Sequence, residues 1–292
     1  HRIWTSFVPV SAFAPANRQK KYPVVFALHG ACNNIFLVEG WGFVQEAARR
    51  EWIVIIPSLE LDEFVLDILE QAKKLYPVDT ERVYAAGFSY GGWASNRLGN
   101  QYPEVFAAVA PCGTAMDNGF IEGFDDDREP LPPFDGVPRA LAKNICMPII
   151  NVYGECDGNR FPIYDFRGKA FGLSHMERPE DIVEGINCWA RVNDAEEIRI
   201  EDVMALKGKN DISQAEREVG LPLPEDCRKT YVADGVTYHR MDLKSRDGVV
   251  RVRLLAEMNI PHWPTPEMVR QIFEFFAHFK RDGKSGKSIY TD

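Results

Sequence analysis

The chain has 292 residues, of which 45% are hydrophobic and 26% are charged, values typical of a soluble globular domain with a large core. Its 34 basic and 43 acidic residues give a formal net charge of -9, which argues against nucleic acid or an anionic membrane as a partner. No apolar run approaches the roughly 20 residues that a membrane-spanning helix needs.

Six cysteines lie far apart in the chain and form no CxxC pair, a spacing that fits neither a zinc site nor a dense disulfide scaffold. We expect most of them to be buried thiols, with one or two disulfides as the alternative if the protein is exported. The chain begins at His1 and not at a methionine, so the compartment is left open between cytoplasmic and secreted.

Strand and helix patterns alternate through the first half of the chain. Residues 3–8 have the pattern of an edge strand, and a helical periodicity over 61–76 gives one apolar face before Pro77. Further strands are predicted at 23–28, 52–57, 83–86, 106–110 and 148–153, and a further helix at 41–50. This alternation predicts an α/β fold with a mostly parallel, doubly wound sheet and helices on both faces.

The run RVYAAGFSYGG at 82–92 passes from a short strand pattern into a glycine-rich turn with Ser89 at its tip. In a G-x-S-x-G nucleophile elbow the serine occupies a strained strand-to-helix corner. Gly87 and Gly91 fit the two positions of that corner that have no room for a side chain. Ser89 is therefore the candidate nucleophile.

The strand at 23–28 ends in HGACNN, a loop of small residues of the kind that places a backbone N–H opposite a nucleophile. We expect Ala31 to be this oxyanion donor, with Cys32 as the alternative. The second donor is expected to be the N–H of Tyr90, the residue after the serine. His29 is expected to shape this loop and not to transfer protons.

Asp157 is the candidate acid. It lies in the turn GECDG that follows the strand at 148–153, at the carboxyl end of the sheet, where catalytic loops gather in open α/β folds. Its carboxylate would accept the N–H of a histidine and fix the tautomer of that imidazole. An Asp beside a Gly is also a common turn former, and Glu155 and Asp165 are competing carboxylates.

His262 is the candidate general base among six histidines. It follows a strand pattern at 249–256 and precedes a helix whose start is marked by Thr265 as N-cap and Pro266 at the first helical position. A loop between the last strand and the last helix can bring an imidazole over the elbow. The other five histidines occupy positions that do not indicate a catalytic base, namely the terminus, the oxyanion loop, a charged segment, a strand and the last helix: His1, His29, His175, His239 and His278.

Four runs, LHGAC, DTERVYAAGFSYGG, YGECD and IPHWPTPEMVRQIFEFF, resemble the esterase family that groups polyhydroxybutyrate depolymerases with feruloyl and acetylxylan esterases, within the α/β-hydrolase fold. The resemblance covers most of the chain and implies a single α/β-hydrolase domain over 1–292. It places Ser89, Asp157 and His262 on the nucleophile, acid and base of the family, and the run NCWARVN around Trp189 resembles a segment between acid and base. Ala31 lies at a position where relatives often carry glycine or another small residue.

The distance of about a hundred residues between acid and base is longer than the family leads us to expect. We assign the extra length to a charged insertion at about 166–234, which also holds a strand near Arg199. The insertion is expected to form a lid or a wall of the substrate groove, with surface decoration as the alternative.

The predicted function is that of a serine carboxylic ester hydrolase, acting through an acyl-enzyme without metal or organic cofactor. The resemblance implies feruloyl or acetyl esters of plant polysaccharide, or related short esters, as substrates. A polyhydroxybutyrate depolymerase-like esterase, a serine peptidase of the same fold and a non-catalytic binding protein are the alternatives. Trp263, beside His262, is the residue expected to line the substrate site, and the oligomeric state is left open.

Overall fold

A nine-stranded sheet lies at the centre of the computed structural model, which describes residues 3–31, 33–114, 116, 139–157, 179–206, 211 and 221–291. Its strands are β1 (Trp4–Phe7), β2 (Tyr22–Leu28), β3 (Ile53–Pro57), β4 (Val78–Phe88), β5 (Ala108–Cys112), β6 (Ile149–Gly154), β7 (Arg228–Ala233), β8 (Val236–Lys244) and β9 (Val250–Glu257). Two further short strands, β10 (Phe279–Arg281) and β11 (Ser288–Tyr290), form a separate antiparallel pair.

The strand order is β1-β3-β2-β4-β5-β6-β9-β8-β7. The six strands from β3 to β9 in this order pair in parallel, whereas β1 at one edge and β8 and β7 at the other pair antiparallel. The carboxyl ends of the six parallel strands therefore meet at one edge of the sheet, where the loops that follow β2, β4, β6 and β9 lie together.

The helices are α1 (Ile35–Glu39), α2 (Phe43–Arg50), α3 (Asp62–Leu75), α4 (Tyr90–Gln101), α5 (Arg139–Ala142), α6 (Pro179–Val192), α7 (Ile200–Leu206) and α8 (Pro266–Ala277), with short 3₁₀ helices at Val10–Phe13, Pro15–Asn17 and Glu225–Cys227. None of the helices in the described ranges is long and apolar enough to cross a membrane.

Two apolar clusters cover the two faces of the sheet because successive strand residues point to opposite sides. In β2, Val24 and Phe26 belong to the cluster that contains the buried residues of α3, α4 and α6, while Val25 and Ala27 belong to the cluster with α2 and α8. All seven residues of β2 are buried, as a strand between two helical layers requires. The predicted fold class is thus confirmed.

The helix α6 lies inside the segment 166–234 that we assigned to an insertion. Ile186 and Trp189 on this helix are 1% exposed and pack in the cluster with α3 and α4. At the end of the segment, β7 extends the central sheet. The strand predicted near Arg199 is wrong, because α7 begins at Ile200. These parts belong to the fold itself, and a lid role for the segment stays a prediction.

Five cysteines lie within the described residues and all five are free thiols. Cys112 and Cys188 are buried, Cys146 and Cys227 are half-buried, and Cys156 is exposed. Only two of these five cysteines are buried, whereas the sequence led us to expect most of them to be.

Candidate active site

Ser89 occupies the corner between β4 and α4, one residue from the end of the strand and one from the start of the helix. Its φ is 57° and its ψ is -117°, outside the regions that a residue with a side chain ordinarily adopts. The N–H of Ser89 donates to the carbonyl of Cys112 on β5 at 2.8 Å, which helps to hold the strained corner in place.

Glycines are required where loops and helix meet at this corner. A Cβ on Gly87 would lie 2.2 Å from the carbonyl oxygen of Gly91, and a Cβ on Gly91 would lie 2.4 Å from that of Leu28. At the end of β6, a Cβ on Gly154 would lie 2.3 Å from the carbonyl oxygen of Ile260. Each clash is with backbone, which cannot move aside as a flexible side chain can.

Asp157 and His262 face each other at the ends of the neighbouring strands β6 and β9. Oδ2 of Asp157 lies 2.7 Å from Nδ1 of His262, although the two residues are 105 positions apart in the chain. Asp157 is 2% exposed, and the His262 ring packs on Phe88, the residue before Ser89, with ring centroids 4.6 Å apart. With Nδ1 donating to the carboxylate, the Nε2 atom is left as the basic nitrogen.

Several contacts join the loop of Asp157 to the loop of His262. The N–H of Glu155 donates to the carbonyl of Glu257, and the N–H of Cys156 donates to that of Ile260, both at 2.9 Å. The Glu155 carboxylate accepts the N–H of Asn259 at 2.9 Å. Glu155, a competing carboxylate in the sequence interpretation, therefore braces the two loops, and Asp157 is the carboxylate that contacts the imidazole. Asp165 lies outside the described residues.

The loop after β2 lies against the elbow. A Cβ on Gly30 would lie 3.4 Å from the Cβ of Ser89, so the expected oxyanion loop and the candidate nucleophile are neighbours. Ala31 lies in an exposed turn, and the alternative donor Cys32 lies outside the described residues. Tyr90 is the first residue of α4, where backbone N–H groups have no partner within the helix.

Aromatic side chains surround this edge of the sheet. Trp263 is 54% exposed beside His262, and Tyr90 makes an edge-to-face contact with Trp93, with ring centroids 6.1 Å apart. Two contacts near this edge have no signature in the sequence, namely the hydrogen bond that the Glu155 carboxylate accepts from Asn259 and the ion pair of Glu60 with His29. Nothing in the sequence marks the latter pair, since the two residues are 31 positions apart and belong to different loops.

The α/β-hydrolase class is defined by a mostly parallel sheet that carries a serine at a strand-to-helix corner. An Asp-His pair follows two neighbouring strands of the same sheet, here β6 and β9. In agreement with this, the acetyl xylan esterase from Aspergillus awamori has the same fold, with a TM-score of 0.52 and 13% identity over 94% of this chain and 93% of that one.

Sequence relatives include the bifunctional acetylxylan esterase/xylanase XynS20E of Neocallimastix patriciarum, 28% identical over 43% of this chain and 20% of the relative. Feruloyl esterase B of Piromyces equi is 28% identical over 45% of this chain and 21% of the relative. The chain thus spans about a fifth of the length of these two relatives. Residues 60–130 match the model of the prolyl oligopeptidase family. These matches confirm the resemblance to α/β-hydrolase esterases.

Proposed function

We propose that this chain is a serine carboxylic ester hydrolase that acts through Ser89, His262 and Asp157. The observation that carries the proposal is the 2.7 Å contact between Asp157 and His262, whose ring packs on the residue before a serine with a φ of 57°. A buried carboxylate that orients an imidazole beside a strained, half-exposed serine is the arrangement that acyl transfer requires.

In the proposed mechanism, the Ser89 oxygen attacks the ester carbonyl carbon while Nε2 of His262 takes the serine proton. The N–H groups of Ala31 and Tyr90 hold the oxyanion of the tetrahedral intermediate. Collapse of this intermediate breaks the ester C–O bond, and the imidazolium returns the proton to the leaving alcohol. Water, deprotonated by the same imidazole, then hydrolyses the acyl-enzyme and restores Ser89. No cofactor takes part in these steps.

The substrates that we favour are feruloyl or acetyl esters of plant polysaccharide, or related short esters, in line with the names of the relatives. An exposed Trp263 beside the base supports a site that accepts a sugar or phenolic ring. A hydroxyalkanoate ester of the depolymerase type is the alternative within this class. The segment 166–234 is proposed to set specificity, while contributing little to the chemical step.

A serine peptidase is the second candidate function. It is favoured by the match of residues 60–130 to the prolyl oligopeptidase family, because this range includes the candidate nucleophile Ser89. The Asp-His pair and a serine elbow serve amide and ester hydrolysis alike, so that they do not decide between the two. A non-catalytic binding protein is less consistent with the site, since a binding module has no need of all three groups.

The test is a panel of nitrophenyl esters of increasing acyl length, with methyl ferulate, acetylated xylan and glycyl-prolyl nitroanilide, on wild type and Ser89→Ala. We expect ester hydrolysis that is lost in the variant, and labelling by a serine-directed phosphonate at Ser89 that is lost in His262→Ala. Ester hydrolysis that survives Ser89→Ala contradicts the proposal. Turnover of the nitroanilide without turnover of esters favours the peptidase.

A further inference from the structure

His29 is a buried titratable side chain with no step in the proposed acyl transfer. It is 7% exposed and follows the last residue of β2. Its Nδ1 lies 2.5 Å from Oε1 of Glu60 and 2.9 Å from the carbonyl oxygen of Gly30, and its Nε2 lies 3.1 Å from the carbonyl oxygen of Ser58. Both ring nitrogens therefore face oxygen atoms.

These oxygens favour the imidazolium form of His29. A neutral imidazole carries one N–H, so its other nitrogen would direct a lone pair at an acceptor oxygen. Burial alone would lower the pKa of His29, but the close contact with the Glu60 carboxylate and the two carbonyls raises this pKa to about 9. At Nδ1 the carbonyl of Gly30 has the geometry of a hydrogen bond, whereas the Glu60 carboxylate makes an ion pair with the ring.

The ion pair lies directly behind the expected oxyanion loop. Gly30, whose carbonyl faces the imidazolium, lies beside Ser89, because a Cβ placed on it would reach van der Waals contact with the serine Cβ, at 3.4 Å. The carbonyl of His29 itself lies against the elbow, since a Cβ on Gly91 would approach it to 2.6 Å. A displacement of His29 would therefore move the backbone on which the oxyanion donor is carried.

The segment that carries Glu60 is anchored to the helix that follows the nucleophile. Arg97 on α4 donates to the backbone carbonyl of Glu60 at 2.9 Å and pairs with the Asp62 carboxylate at 2.7 Å. Arg97 and Asp62 thus neutralise each other on one side of this segment, and Glu60, which is 7% exposed, is the charge that contacts the His29 ring. The contacts run without a break from α4 through Glu60 to the loop after β2.

We propose that His29 and Glu60 form a constitutive buried ion pair that positions the Gly30 and Ala31 backbone against Ser89, which makes His29 a positioning residue for the oxyanion hole. The inference rests on the proposed function in one respect, that this loop stabilises an oxyanion. Because the loop acts on the transition state, loss of the ion pair lowers kcat more than it changes KM.

The test is Glu60→Gln, which keeps the size of the side chain and removes its charge, with Glu63→Gln as the matched control on the exposed start of α3. In wild type, kcat for nitrophenyl acetate is expected to hold up to about pH 9, where His29 loses its proton. In Glu60→Gln this alkaline fall shifts about two pH units toward the ordinary histidine value, and kcat at pH 8.5 drops about tenfold with KM nearly unchanged.

Nitrogen NMR of histidine-labelled protein provides a second measurement that does not depend on catalysis. At pH 8, His29 should show two protonated nitrogens in wild type and one in Glu60→Gln, and the amide resonances of Gly30 and Ala31 should move. A neutral His29 in wild type, or unmoved loop amides in the variant, overturns the inference even if the esterase proposal stands. Absent ester hydrolysis with the expected NMR result contradicts the proposed function instead and leaves the ion pair established.

Discussion

Glu257, the last residue of β9, is a carboxylic acid held in a site that disfavours its charged form. It is 1% exposed, and burial, with a further contribution from the charge of Glu267, raises its pKa to about 8 against the opposing effect of a hydrogen bond from Thr265. Thr265 in turn accepts the N–H of Met268 as the N-cap of α8. The bond between Glu257 and Thr265 closes the loop that carries His262.

The raised pKa makes the stability of the protein depend on pH with a definite sign. The folded state holds the Glu257 proton more tightly than the unfolded chain, whose value is about 4.5, so the stabilisation is complete below that pH. It is lost as pH rises toward and through 8. Between pH 5 and pH 9 the loss from this group amounts to about 4 kcal/mol in the free energy of unfolding. Glu257→Gln cannot ionise and should not show this loss.

Urea unfolding followed by tryptophan fluorescence at pH 5, 7 and 9 measures the effect. The free energy of unfolding of Glu257→Gln minus that of wild type should increase by about 4 kcal/mol between pH 5 and pH 9. This change is expected whether the variant is more or less stable than wild type at pH 5. Glu274→Gln on the exposed face of α8 is the control and should follow wild type throughout. Parallel pH curves for wild type and Glu257→Gln would refute the assignment of a neutral buried acid.

Three further substitutions test the site and the fold. Asp157→Asn should lower kcat by about 10⁴ with an unchanged circular dichroism spectrum, and the same loss in Glu155→Gln instead would transfer the acid role. Gly91→Ala should lower the free energy of unfolding measured in urea by more than about 3 kcal/mol, or prevent folding, because its Cβ would meet backbone; a stable variant would contradict the elbow geometry. Arg281→Met should lower the free energy of unfolding by about 3 kcal/mol, because it leaves the carbonyls of Phe106 and Cys146 without their guanidinium donor. The exposed control Arg246→Met should lower it by less than about 0.5 kcal/mol, and equal urea midpoints for the two variants would contradict this reasoning.

The order of elements was predictable because each apolar run carries its own period. The predicted strand at 52–57 and helix at 61–76 agree with β3 and α3 to within one residue at each end. The strand could be predicted because its run is apolar throughout, and the helix because its apolar residues lie on one helical face. The shared edge of the candidate residues was predictable too, because parallel strands place their carboxyl ends together.

The part that could not be predicted depends on contacts between distant segments. Nothing in a local pattern distinguishes a core helix from a lid helix, and α6 is assigned to the core because Trp189 packs there. The separate pair β10–β11 consists of three-residue strands too short to show a period. Likewise the brace made by Glu155 and the ion pair of Glu60 follow from loop geometry, and a carboxylate in a turn has many other uses.

The long separation of acid and base along the chain is compatible with a single rigid site because of the strand order. The strands β6 and β9 are direct neighbours and pair in parallel from Ile149 opposite Val252 to Gly154 opposite Glu257. Their carboxyl ends therefore coincide whatever the chain does in between. Beyond these ends, three hydrogen bonds between the two loops, one of them accepted by the Glu155 carboxylate, fix Asp157 against His262. The geometry of the proposed proton transfer is thus held by neighbours in the sheet, while the chain between them adds the core helix α6 and the strands β7 and β8 to the same fold.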